Sequence, residues 1–322
     1  MNRVHGKSKR LVTVVMIVFN QNSFLAEALE SVSKQISEEV SVELLVRDDG
    51  SSDGSGDTLI AFAKDATFPV RVFLGKHEGV RGISPALNFL ISLANGDFVA
   101  FLAGDDVFLP GGLKAMVRNF RNDPSLSIVV ADGWDGPDLS SSVRLHRGLD
   151  LRSLRSRNPY ALKRHVRRNT PRIFLQATMA RRGFLHSFTV FDEALIADDW
   201  VFWVRSADQM INLKTSFSYT PTPVCFRRRV AGSTSSDGPV HFERIREVAA
   251  KYSKNETHII DDFMVARWLK IWFSKENESD TGIGVQGQSL GAVRVSKSIL
   301  RLSKSFVLRR LTLPLKPVQE CR

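Results

Sequence analysis

Phe98-Val99-Ala100-Phe101-Leu102-Ala103-Gly104-Asp105-Asp106-Val107-Phe108-Leu109-Pro110 is the stretch from which the fold is read. An apolar run rich in aromatic and β-branched residues ends at a glycine and two adjacent carboxylates, and a proline closes the segment. This predicts a buried strand that delivers an acidic pair to its exposed C-terminal end. Neighbouring carboxylates repel unless a cation lies beside them, so such pairs often hold a divalent metal. An acidic turn that merely stops a strand gives the same pattern, so support has to come from the rest of the chain.

Upstream, Leu11 to Val18 and Val42 to Val46 are two further buried strands. Asn22 or Ser23 caps a helix to about Gln35, with Phe24, Leu25, Ala28, Leu29 and Val32 along one face. The second strand ends in Arg47-Asp48-Asp49-Gly50-Ser51-Ser52-Asp53-Gly54. A helix from about Asp57 to Lys64, a strand at Val70 to Leu74 and a helix from Ser84 to Ala94, with Pro85 in its first turn, lead back to the opening strand. Downstream, a helix runs after Pro110-Gly111-Gly112 to about Phe120, and Leu126 to Ala131 is a further strand. This βαβ series predicts a parallel sheet with helices on its faces, whose ligands gather at the C-terminal strand ends. Asp48, Asp49, Asp105 and Asp106 all lie at such ends.

With 322 residues, the chain is long enough for one large α/β domain or two smaller ones. The N-terminal Arg3, His5, Lys7, Lys9 and Arg10 before Leu11 to Phe19 imitate a secretion signal. The apolar run is short, β-branched and broken at once by Asn20-Gln21-Asn22-Ser23, so a first core strand is expected instead. No window is long and apolar enough to span a bilayer. Cys225 and Cys321 form no disulfide framework and no metal-knuckle spacing, which points to a reducing cytosol.

A net charge of +11 points to an acidic partner. Between Val143 and Arg182, twelve cations against the single acid Asp150 carry an excess equal to that of the whole chain. Eleven of the twelve are arginines, which pair bidentately with phosphates; a solvated loop and helix face is the alternative. Farther on, Asp198-Asp199 opens an aromatic helix containing Trp200, Trp203 and Val204. A strand at about Pro223 to Arg227 meets the basic, hydroxyl-rich Arg228-Arg229-Val230-Ala231-Gly232-Ser233-Thr234-Ser235, which suits either a diphosphate or a plain turn. In the tail, Ala292, Val295, Ile299, Leu302 and Phe306 lie opposite Arg294, Lys297, Arg301 and Lys304. That is a basic amphipathic helix, packed on its own domain or lying on anionic membrane.

Taken together, Val12 to Asn20, Glu43 to Gly54, Gly82-Ile83-Ser84-Pro85-Ala86-Leu87-Asn88, Gly96 to Asp106 with Pro110, and Asp198 to Arg205 follow one another in an order and spacing that resemble inverting glycosyltransferase family 2. The resemblance covers roughly residues 11 to 240. It implies the GT-A fold, a mixed, mostly parallel α/β sheet with helices on both faces, here with a helical C-terminal tail. The expected divisions are a nucleotide-sugar-binding half over 1–132, an acceptor-side half with the Arg-rich segment over 133–255, and the tail over 256–322.

By this resemblance, Phe19 and Asp49 contact the nucleoside, Asp49 accepting a hydrogen bond from the base. Asn20, Arg81, Asp105 and Arg229 join them around the donor, a nucleoside-diphosphate sugar with a UDP-sugar favoured. Asp106, with Asp105 beside it, grips Mg²⁺ or Mn²⁺ on the diphosphate. Asp199 is the catalytic base, with Asp198 in reserve. Two departures stand out. Ala103 replaces a common Asp, and Phe226-Arg227-Arg228-Arg229 stands where a Tyr-Arg-x-His motif is usual, which offers Arg229 as a fixed cation for the diphosphate. The implied activity is sugar transfer, with inversion, to a lipid-linked saccharide acceptor in surface polysaccharide (O-antigen-type) synthesis at the cytoplasmic face, with the tail on anionic membrane. A sugar-nucleotide-binding protein without turnover is one alternative. A basic nucleic-acid-binding protein is the other, prompted by the charge alone and opposed by the arginines being interleaved only with Tyr160 and Phe174 and by the lack of a recognition motif.

Overall fold

A computed structural model describes residues 8–168, 171–196, 199–230, 244 and 247–252. Asp198, residues 231–235, Cys321, the whole 256–322 tail and its amphipathic helix lie outside the described residues.

The apolar run after the basic N-terminus is strand β1 (Arg10–Val18), buried from Val12 to Met16, and it is a core strand as expected. Helix α1 (Asn22–Ser33) buries Leu25, Ala28, Leu29 and Val32, which fall at helical spacing on one face. β2 (Val40–Asp48), α2 (Ser55–Asp65), β3 (Val70–Leu74) and α3 (Ile83–Ser92) follow. The opening stretch is β4 (Phe98–Ala103), with a short β5 (Val107–Phe108) beyond the acidic pair. α4 (Gly112–Asn122) buries Leu113, Met116, Val117 and Phe120. β6 (Leu126–Gly136) continues past the expected end at Ala131 and carries two buried acids, Asp132 and Asp135.

The Arg-rich region contains β7 (Val143–Arg144), α5 (Gly148–Arg155), α6 (Pro159–Arg168), β8 (Thr178–Arg181) and α7 (Arg182–Leu185). α8 (Asp199–Leu213) and β9 (Ser216–Arg228) complete the described elements. β9 starts well before the expected Pro223, because Ser216 to Tyr219 already pair with β6; Pro221 and Pro223 fall where the register slips between Val130 and Asp132.

The strands join in the order β3-β2-β1-β4-β8-β6-β9-β5, with β7 on β6. β3, β2, β1 and β4 are parallel, and β8 is antiparallel to both β4 and β6. The sheet is therefore mixed, parallel from β3 through β4 and reversed at β8. Its core joins β1, β2 and β4 to α1 and α4 through Val14, Met16, Leu29, Leu44, Leu102, Leu113 and Met116.

The register positions the site. Val18 of β1 lies opposite Asp48 of β2, and Ile17 lies opposite Ala103 of β4. Asp49 and Asp105 therefore leave the same sheet edge on either side of Phe19, about 10 Å apart at two strand spacings.

Candidate active site

Asp49 is buried beneath its loop. Its N–H donates to Val18 O at 2.8 Å, Oδ2 lies 2.9 Å from His77 Nδ1, and the Arg47 guanidinium is 3.8 Å from Oδ1. Phe19, 38% exposed, stacks on the His77 ring. The hydroxyls and acids of the Ser51-to-Ser55 loop hold this end of β1 in place. Asn20 N–H donates to Ser51 Oγ, Gln21 N–H to Ser55 Oγ, and Asn22 N–H to Asp53 Oδ2. In return Asn20 Oδ1 accepts from Ser52 N–H. Asn20 thus ties two loops together from a positive φ of 50°. Gly50 is required here: its φ is +77°, and a Cβ would lie 2.6 Å from His77 N.

Asp105 and Asp106 differ in surroundings. Asp106 is buried, and both oxygens are engaged: Oδ1 accepts from Arg228 N–H and Oδ2 from Gln176 Nε2, each at 2.8 Å. Burial and the neighbouring Asp105 charge push its carboxyl well above the ordinary carboxylate range. Asp105 is half-buried, and burial raises it too, against the pull of Arg227 and Arg228. Gly104 keeps the strand end close to α1, since a Cβ there would meet Gln21 Oε1 at 2.7 Å.

Asp199 opens α8, and its Oδ1 accepts from Leu175 N–H at 3.0 Å. The helix is anchored by two indoles, Trp200 Nε1 donating to Val166 O and Trp203 Nε1 to Ile173 O, both buried. Leu175 and Gln176 are successive residues of one short turn, Leu175–Ala177. One holds Asp199 and the other holds Asp106, so this turn brings the sequence-predicted base next to the acidic pair.

The arginines do not form one surface. Arg144 pairs with Asp132, Arg167 with Asp208, Arg181 donates to Leu126 O, and Arg182 to Gly96 O. Arg172 is different. With Arg227 and Arg229 it surrounds the buried Asp135, at 3.6, 2.8 and 2.5 Å. Burial opposes ionisation of Asp135, but bonds from Arg229 and Arg227 hold its carboxyl below its usual range. Burial and the like charges of Arg227, Arg229 and Arg147 lower Arg172. Three guanidinium groups converging on one carboxylate make a locally basic patch of a kind that attracts anions. Arg227 also acts on Asp105, so this patch adjoins the acidic pair.

Arg81 is engaged elsewhere, donating to Ala194 O at 3.0 Å and to Glu247 Oε1 at 2.6 Å. Among the described residues no group of three His, Cys, Asp or Glu side chains encloses a metal. Magnesium and similar hard cations bind through one or two carboxylates plus substrate phosphates. Asp105 fits that donor set; Asp106, sequestered with both oxygens paired, does not.

His77, Asp135, Arg172, Gln176 and Arg227 were not among the expected site residues. The two acids interrupting the apolar β6 run signal Asp135. Nothing local marks Gln176 or His77, whose partners lie 70 and 28 residues away in sequence.

Residues 13–187 match the family described as Glycosyl transferase family 2. The glycosyltransferase GlyG of Streptococcus pneumoniae serotype 4 is 33% identical over 125 residues, 39% of this chain and 40% of that protein. The UDP-Glc:alpha-D-GlcNAc-diphosphoundecaprenol beta-1,3-glucosyltransferase WfgD of Escherichia coli is 31% identical over 107 residues, 33% of this chain and 40% of that protein. The chain thus spans less than half the length of these curated relatives. Among solved structures, S. aureus TarS 1-349 in complex with UDP-GlcNAc superposes with a TM-score of 0.55 at 18% identity, covering 83% of this chain and 73% of that one, which shows the GT-A fold. With the family match covering more than half of its length, the chain belongs to glycosyl transferase family 2.

Proposed function

We propose that the protein transfers a sugar from a nucleoside-diphosphate sugar to a hydroxyl of a saccharide acceptor, with inversion at the anomeric carbon. The observation that carries this reading is the Leu175-Gln176 turn, which holds Asp199 and Asp106 through adjacent residues. A carboxylate at a helix start beside a strand-end acidic pair suits attack by an activated hydroxyl on a bound donor. Asp199 is the proposed base, taking the acceptor proton as the oxygen attacks. Phe19 and Asp49 are the proposed nucleoside contacts, and Asp105 is the proposed carboxylate for a divalent cation. Such a cation, when bound, offsets the charge growing on the departing diphosphate.

Arg172, Arg227 and Arg229 supply fixed positive charge next to that position, which suits either the diphosphate or an acidic acceptor. WfgD is named for an acceptor carrying a diphosphoundecaprenol, and its likeness supports a lipid-diphosphate-linked acceptor for this chain. No helix among the described residues is long and apolar enough to cross a membrane.

The test has two stages. UDP-, GDP- and dTDP-sugars are screened for thermal stabilisation with and without Mn²⁺; a binding donor at about 100 times its Kd stabilises by about 2.7 kcal/mol. Transfer is then measured with the binding donor. Asp199→Asn is expected to reduce turnover by about 10²–10⁴-fold while leaving donor stabilisation in place. Unchanged turnover would remove Asp199 from the mechanism.

A further inference from the structure

Phe19 and His77 lie face to face, with ring centroids 3.8 Å apart and planes 6° from parallel. At its edge the same imidazole shares a 2.9 Å hydrogen bond between Nδ1 and Asp49 Oδ2. A flat ring on Phe19 with an edge nitrogen on Asp49 is the arrangement that the proposed donor site asks of a nucleobase. We propose that His77 is the resident occupant of the nucleobase subsite and that the donor's base binds by displacing it. The inference rests on the donor-site reading of Phe19 and Asp49.

Three observations favour a displaceable occupant over a fixed wall. The His77 side chain is 42% exposed, so it has solvent to turn into, whereas the Asp49 side chain is only 4% exposed. The backbone of His77 is held against Gly50, where even a Cβ would come within 2.6 Å of its nitrogen, so the ring can leave by side-chain rotation. Beyond it, Gly79 has a φ of +67° and open space around its Cα. Asp49 stays behind, fixed by its N–H to Val18 O, and its Oδ1 is buried with no hydrogen-bond partner among the described residues.

The charged group that touches the ring is Asp49, just beyond the end of β2, itself paired with Arg47 of β2. The carboxylate requires a donor at the edge of whatever replaces the imidazole. Uracil, thymine and guanine offer a ring N–H there; cytosine and adenine place a bare ring nitrogen at that point and meet the carboxylate only through the neighbouring exocyclic amino group, a poorer match. His77 thus sets a threshold: a base has to provide both the stack and the hydrogen bond that it takes away. Apparent affinity is reduced by the fraction of molecules in which the slot is closed.

Calorimetric titration of the full chain with UDP and CDP tests this. Removing the competing ring in His77→Ala is expected to tighten UDP by about tenfold, a change of about 1.4 kcal/mol. His77→Gln, which keeps an edge amide without an aromatic face, is expected to fall between the two, and CDP to bind poorly to all three. By proton NMR, the His77 ring signal, displaced by the Phe19 ring current in the free protein, is expected to move towards its solvent-exposed position when UDP is added. If Asp49→Ala abolishes UDP binding while His77→Ala leaves it unchanged or weaker, or if the His77 signal stays put, the occupant inference is overturned and the donor site survives. If UDP, dTDP and GDP bind neither the wild type nor His77→Ala, both fall together.

Discussion

Asp106 shows what a single residue's surroundings decide. The resemblance gives it the metal and Asp105 the supporting place, yet in the fold it is the inward member of the pair, with a hydrogen bond to each oxygen. Burial and the Asp105 charge raise its carboxyl to about 7. The sign follows: folding favours the protonated form, so the stability tied to this group is present below the ordinary carboxylate range and is lost as pH rises through about 7. Asp106→Asn removes the charge and keeps the shape. Gln176 Oε1, which has no partner among the described residues, can then accept from the new amide once the Gln176 amide turns over. The variant is expected to be more stable than wild type by roughly 1–3 kcal/mol above neutral pH. Its advantage is expected to vanish in acid. Urea unfolding at several pH values measures this, and a variant uniformly less stable would show that the acid has another role.

At the scale of elements, the turn Leu175–Ala177 connects β8, α8 and the β4 end. Gln176→Leu strands one oxygen of a buried carboxyl and is expected to cost about 1–3 kcal/mol, read as a lowered Tm. Gln176→Glu, placing a second acid against Asp106, is expected to lose more, and the loss should shrink at low pH.

How far the elements were legible depends on where their partners lie. β1, β2 and β4 are continuous apolar runs because both faces of a parallel sheet are covered, and that pattern is local. β5 is two residues long, and β8 is four residues beside an arginine run; each exists through pairing with strands distant in the chain. The site divides the same way. The positions of Phe19 and Asp49 just past strand ends and of Asp199 at a helix start follow from motif order, whereas the different surroundings of Asp105 and Asp106, and the engagement of Arg81 by Glu247, depend on contacts across the fold.

For the whole molecule, a second buried cluster is expected to contribute to the response to acid. Asp132 accepts from Tyr219 Oη at 2.9 Å and from Arg144, and His146 lies beside it with almost no exposure. Burial lowers the His146 imidazole to about 4, against the opposing pull of Asp132. Its folded value lies below its unfolded one, so the stability it carries is present above about 6.5 and lost as pH falls towards 4. Wild type is expected to lose on the order of 2 kcal/mol across that window. His146→Leu is expected to flatten that part of the curve; an unchanged slope would assign the acid sensitivity to other groups.

The turn that ties Asp199 to Asp106 also has a consequence for how the protein can be re-engineered. A machine built from two halves usually needs its alignment restored whenever one half is exchanged. Here the alignment gauge is a two-residue piece of backbone and amide, independent of any pocket wall. Loops grafted from other members of the family around α5 and α6 should leave the tie between Asp199 and Asp106 intact so long as residues 174–178 and the Asp199 helix start are kept from the recipient scaffold.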